Sequence, residues 1–188
     1  MKIFFITIVF ICITVAANAQ RKINFSSQNY VGLLEGENGS KFQLQTVNGI
    51  KYKTWFVGIG TGIDWYYLRS IPFFISLNKD LFKKQNRSFY LSADGGINYG
   101  WKNNNYNLEG GYNIEKLNPG FYWAAGLGYK IGVGKNGDAL LVHVGYSYKH
   151  IDETVKSRYI IIDSGPSSST EHFDYYLQRL SLKLGWSF

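Results

Sequence analysis

The chain has 188 residues, of which 45% are hydrophobic and 18% aromatic, and a formal net charge of +7. That length suits one domain. The positive charge suits anionic lipid headgroups or polysaccharide rather than nucleic acid, because the basic residues form no clustered stripe. The single cysteine, Cys12, excludes disulfides and thiolate metal sites from everything after it.

Met1-Lys2 is a short basic start, 3–15 is an almost unbroken apolar run, and Ala17-Asn18-Ala19 is a small-x-small cleavage site. Together these predict a secretory signal peptide over 1–19, with Gln20 as the first mature residue. The apolar run is too short for a membrane helix. Cys12 lacks the preceding residues of a lipoprotein site, so no lipid anchor is expected. Removing residues 1–19 takes away one basic side chain, Lys2, and leaves 19 basic against 13 acidic, a net charge of +6.

Eight strands are predicted after the leader, over 30–35, 41–47, 54–66, 71–78, 88–101, 121–133, 139–151 and 175–188. In the third, Trp55, Val57, Ile59, Ile63 and Trp65 share a face opposed by Gly58, Gly60, Gly62 and Asp64. In the fifth, Phe89, Leu91, Ala93, Ile97, Tyr99 and Trp101 oppose Ser92, Asp94, Gly96, Asn98 and Gly100. The sixth and seventh repeat the pattern. In the eighth, Gln178, Leu180, Leu182, Leu184, Trp186 and Phe188 oppose Arg179, Ser181, Lys183, Gly185 and Ser187. Period two is the mark of a strand with one apolar and one polar side.

Alternation does not say which face is inside, and a soluble barrel or sandwich would place the apolar face inward. Two features favour the inverse. The polar faces are rich in Gly and Ser, which fit a narrow barrel interior. Aromatics sit at both ends of the apolar faces, as interfacial girdles require. The export signal agrees.

Asn38-Gly39, Asn48-Gly49, 80–87 and 135–138 read as compact turns, whereas 102–120 and 152–174 are long. With both termini periplasmic, the long links fall outside. Residues 157–163 read as further strand and 164–169 as a turn, so the last two strands are expected to continue as a protruding hairpin whose free edge accepts a partner strand.

The leader, the eight alternating strands, the girdles and the final Phe188 resemble small outer-membrane barrels of the OmpA/OmpX type. The resemblance is architectural and implies an all-β, eight-stranded antiparallel transmembrane barrel with up-and-down topology in the bacterial outer membrane. It implies that the insertion machinery reads the last strand through Leu184, Trp186 and Phe188. That group includes adhesins, membrane stabilisers, narrow pores and a few lipid-modifying enzymes. The expected role is structural or surface interaction through 102–120 and 152–174, with lipids, the insertion machinery and an extracellular protein or glycan as partners. No enzyme activity, cofactor or metal is expected.

The lumenal face concentrates the charge. Asp94, Lys130, His143 and Lys183 are expected at one height, and Asp64, Asn98, Lys149 and Arg179 in a second layer nearer the outside, forming a mutually satisfied polar network. A pore is the first alternative reading and an acyl hydrolase the second. His143 and Ser147 stand too far apart along a strand to pair, but His143 can reach a serine such as Ser181 on the neighbouring strand. His150 and Asp152 share the outward face near the outer interface. His143, His150 and His172 form no metal-ligand pair, and the Asn103–Asn107 region with Glu109 could contact glycans.

Overall fold

Aromatic and β-branched residues at every second position, with Gly and Ser between them, favour extended chain over helix. The computed structural model describes residues 24–37, 39–101, 107–108, 112–133, 137–161 and 165–188. The expected leader and parts of both long links lie outside these. The described chain forms ten strands: β1 (Asn24–Glu35), β2 (Lys41–Tyr52), β3 (Trp55–Asp64), β4 (Ser70–Lys84), β5 (Arg87–Gly100), β6 (Asn107–Leu108), β7 (Tyr112–Asn118), β8 (Gly120–Gly132), β9 (Ala139–Ile161) and β10 (Gly165–Ser187).

Eight of them close an antiparallel barrel in the order β1-β2-β3-β4-β5-β8-β9-β10, with β10 returning to β1. The seam runs from Gln28↔Ser187 to Glu35↔Leu180, and Ser27 and Phe188 exchange backbone bonds of 2.8 and 3.0 Å just past it. Closure pairs every barrel strand on both sides and leaves no edge within the barrel wall.

The apolar face is outside. Ile75 is 64% exposed, Val144 56%, Leu180 62% and Phe82 75%. A belt of this kind would be untenable in water and is stable in hydrocarbon. Trp55, Phe89, Trp186 and Phe188 ring one end, while Trp65, Trp101, Phe121 and Tyr176 ring the other. The chain is therefore an eight-stranded antiparallel transmembrane β-barrel.

Several expected boundaries were too short. β1 begins at Asn24 and β2 runs to Tyr52, so both are full barrel strands. β4 reaches Lys84, past a bulge between Asp80 and Phe82. Asp80, expected in a turn, is on a strand and points inward. A period-two pattern loses its phase at a bulge, which is why the sequence pattern ends before the strand does.

The protruding hairpin is present: β9 and β10 stay paired out to Ile161↔Gly165. Its β9 edge is occupied, because β7 pairs with β9 from Asn118↔Asp152 to Tyr112↔Ser157, and β6 adds to β7. The link 102–120, expected as a long external loop, thus supplies a hairpin that satisfies that edge. The short polar runs of β6 and β7 carry no alternation strong enough to announce it.

Candidate functional site

The inward faces meet in a lumen that is filled by side chains in layers. At the short-turn end, Asp80 bridges Lys51 at 2.9 Å and Lys130 at 3.6 Å. Above it, the hydroxyls of Tyr30 and Tyr90 lie 3.3 Å apart, and Tyr30 donates to Gln28 Oε1 at 2.9 Å. Asn78 donates to the same oxygen at 3.0 Å. Phe56, Val47 and Leu141 pack in the same apolar cluster as these tyrosines.

Midway, Lys183 donates to Gln45 Oε1 at 3.1 Å, and Gln45 Nε2 donates to the Tyr122 hydroxyl at 3.2 Å. Asp94 takes a hydrogen bond from Ser76 and lies within the field of Lys183. Beyond this layer Phe74 packs on Tyr122 with ring centres 5.4 Å apart.

The outermost layer is ionic. Asp64 holds Lys149 at 2.5 Å and Arg179 at 3.3 Å. Lys149 also donates to Ser70 at 2.7 Å, and Arg179 to Ser147 at 2.7 Å. The backbone N–H of Tyr66 donates to Asp64 Oδ1 at 3.1 Å, and the Arg179 guanidinium lies 5.4 Å from the Tyr66 ring centre. Arg179, Lys149 and Tyr66 are all almost wholly buried. Three cross-barrel partners thus share two cationic charges and one carboxylate, with hydroxyls filling the remaining donor sites.

Glycines make this packing possible. A Cβ on Gly60 would overlap the Phe74 ring, one on Gly128 the Tyr90 ring, and one on Gly185 would lie 2.6 Å from Tyr30 Cδ1. Each bulky ring lies over a strand position that carries no side chain. The alternation of small and large residues is how eight strands close over a packed interior.

His143 shows the same device. It stands opposite Gly128 on β8. Its ring reaches across that strand to Ser92 on β5, with Nε2 2.6 Å from the hydroxyl. A Cβ on Gly126 would come within 2.7 Å of the His143 ring. The serine reached is Ser92, not the expected Ser181, because the intervening strand is glycine there. His143 Nδ1 has no partner among the described residues.

The structure therefore groups Asp64, Lys149 and Arg179 directly, and brings Asp94 near Lys183. Lys130 is not with Asp94, His143 and Lys183. It stands opposite Leu141, two residues nearer the short-turn end than the Gly128↔His143 pair, and joins Asp80. Strand stagger moves it out of the layer that its sequence height suggested. Asn98 is buried beside the outer layer, but its amide atoms have no partner among the described residues. Gln28, Gln45 and Tyr122 also line the lumen, and isolated amides and inward tyrosines carry no sequence signal of their own; Asp80 is hidden from the pattern by the β4 bulge.

A small cavity in the lumen, ≈ 10 Å³ and with room for about one water molecule, lies among Tyr30, Gln45, Asp94, His143 and Lys183. No set of His, Cys, Asp and Glu able to hold a metal occurs among the described residues. Outside the barrel, His150 lies 2.9 Å from Asp174 and stacks on Tyr176, while Asn118 donates to Asp152 at 2.9 Å. His172 contacts Thr154 at 3.1 Å. These contacts tie β7, β9 and β10 together above the apolar belt.

No known protein family matches the chain, and neither does any curated protein. Among solved structures, the solid-state NMR structure of outer membrane protein AlkL in DMPC lipid bilayers is similar, with 15% identity and a TM-score of 0.47, covering 87% of this chain and 88% of that one.

Proposed function

We propose that this chain is an integral protein of the bacterial outer membrane that acts at the cell surface through the sheet built on β9 and β10, and that it is neither a pore nor an enzyme. One observation carries the reading. β9 and β10 each have 23 residues, roughly twice what a tilted strand needs to cross a bilayer. Their outer halves, joined by β7 and β6, form a sheet beyond the lipid belt. The side of β10 away from β9 pairs with β1 only as far as Leu180, so the stretch 170–174 forms a sheet edge beyond that seam. Such an edge suits an extracellular protein or glycan.

The other partners under this reading are outer-membrane lipids and the insertion machinery, which would read the lipid-facing Leu184, Trp186 and Phe188. The filled lumen argues against conduction. The purified protein should leave planar bilayers silent, and discrete conductance steps altered by Lys183→Gln would favour a pore instead. The Ser92–His143 pair sits inside the wall with no room for a substrate, which argues against hydrolysis. Unchanged lipid acyl chains by mass spectrometry would agree.

The short-turn end faces the periplasm in this reading. A membrane-impermeant maleimide applied to intact cells should label Glu171→Cys and spare Asp138→Cys, with the reverse pattern meaning an inverted barrel. Surface action is tested by adhesion of expressing cells to protein- or glycan-coated surfaces. Adhesion should be lost when 156–170 is replaced by a short turn while the barrel still shows heat-modifiable mobility in SDS. Equal adhesion by that variant would remove the surface role.

A further inference from the structure

Among the described residues, most basic side chains at the short-turn rim have no acidic partner. Asp80 is committed inward to Lys51 and Lys130. Asp138, the other described acid at this rim, makes no ion pair among the described residues. That leaves Lys53, Lys79, Lys83, Lys84 and Arg87 without a carboxylate among the described residues.

Two of these are placed against each other. Lys84 stands directly opposite Arg87 across β4 and β5, so both side chains lie on one face. Like charges in that position destabilise a strand pair. Two residues away on the same face is the pair Phe82↔Phe89, with exposures of 75% and 52%. The step from rings to cations is about 7 Å along the strand. Rings in the acyl region followed by cations at that distance match the boundary between hydrocarbon and headgroups.

The hairpin that carries the pair is held firmly. Gln85 turns with φ 52°, and Asn86 exchanges bonds of 2.8 and 2.6 Å with Gly132 on β8. Farther along β4, the Lys79 ammonium lies 4.1 Å from the centre of the Trp55 ring on β3. Lys53 occupies a left-handed turn position, φ 55°, where Gly or Asn would be less strained. Its ammonium lies 5.3 Å from the Tyr52 ring centre. Both turns thus spend a conformationally awkward position beside a cation seated on or near an aromatic girdle.

We propose that this rim is a seat for anionic phospholipid, with the Lys84–Arg87 pair clamping the lipid phosphate. Arginine offers a planar fork to phosphate oxygens and lysine a point charge. A phosphate between them converts the like-charge repulsion into attraction. Phe82 and Phe89 lie where the acyl chains of the same lipid would run. Assigning the seat to the inner leaflet rests on the orientation proposed above.

The test is the association of spin-labelled phosphatidylglycerol, relative to phosphatidylcholine, with the full chain in vesicles containing both lipids. Both leaflets carry both lipids, so the result is independent of orientation, which the Asp138→Cys labelling decides separately. The preference for phosphatidylglycerol should fall about fivefold in Lys84→Gln/Arg87→Gln, and stay unchanged in Lys41→Gln/Lys156→Gln, whose charges lie toward the opposite end. Equal preference in the first variant and the unaltered chain would overturn the proposal. So would equal loss in both variants, which would mark a general charge effect. Displacement by equimolar inorganic phosphate would mean a free-anion site and would overturn the lipid assignment. If the double variant lacks the heat-modifiable band, Lys84→Gln and Arg87→Gln are read singly, with the same criteria.

Discussion

Asp64→Ala should cost about 3–5 kcal/mol of stability, the largest loss expected from any single side chain in the barrel. The carboxylate is the shared counter-charge of Lys149 and Arg179, at 2.5 and 3.3 Å, and all three are buried. Removing it leaves an ammonium and a guanidinium enclosed, with Ser70 and Ser147 as their remaining side-chain acceptors among the described residues. The loss also frees the Tyr66 backbone N–H that Asp64 accepts. The measurement is the urea midpoint of the protein in lipid vesicles. Adding Lys149→Met to Asp64→Ala should recover part of the loss, because one of the stranded charges goes with it. A shift of less than about 0.5 kcal/mol for Asp64→Ala would place it with ordinary surface changes and show that the layer does not hold the strands together.

Gly96→Ala and Gly95→Ala should differ sharply although the residues are neighbours. A Cβ at Gly96 would collide with the Phe73 carbonyl oxygen and stand 2.6 Å from Phe74 Cα. Those are backbone atoms of β4, which cannot swing aside as a side-chain tip can. The strands must part or the barrel must distort, at about 1–3 kcal/mol or more. Gly95 has nothing within 4 Å of its Cβ position. Its substitution meets open space on the lipid side and also restricts the unfolded chain, so the effect should be neutral or stabilising by up to about 1 kcal/mol. Heat-modifiable mobility and the urea midpoint read both. Equal tolerance at the two positions would mean that the β4–β5 contact is looser than the geometry implies.

Both effects arise from the same constraint. An eight-stranded barrel has an interior just wide enough for side chains, so a large ring facing inward needs a glycine beneath it that yields the space. Phe74 over Gly60, Tyr90 over Gly128 and His143 across Gly126 are instances of that rule. The outer halves of β9 and β10 escape the constraint, since they extend past the barrel wall and enclose no lumen.

The architecture was legible in the chain because alternation is a local property. Leu180, Leu182, Leu184 and Trp186 against Arg179, Ser181, Lys183 and Gly185 define two faces whatever the rest of the protein does. The Gly- and Ser-rich composition of the polar face indicated that it was the inner one. The charged residues expected in the lumen were found on inward faces for the same reason.

Which of them meet was decided only in three dimensions. Asp64 and Arg179 are 115 residues apart in the chain, and Lys130 joins Asp80 because β8 is staggered against its neighbours. His143 reached Ser92 through a gap left by glycine on a strand lying between them. The docking of β7 on β9 likewise depends on where β9 ends up above the membrane. Periodicity along one strand carries the direction of every side chain, but its height in the barrel depends on the stagger accumulated around all eight strands. No single stretch of sequence contains that sum.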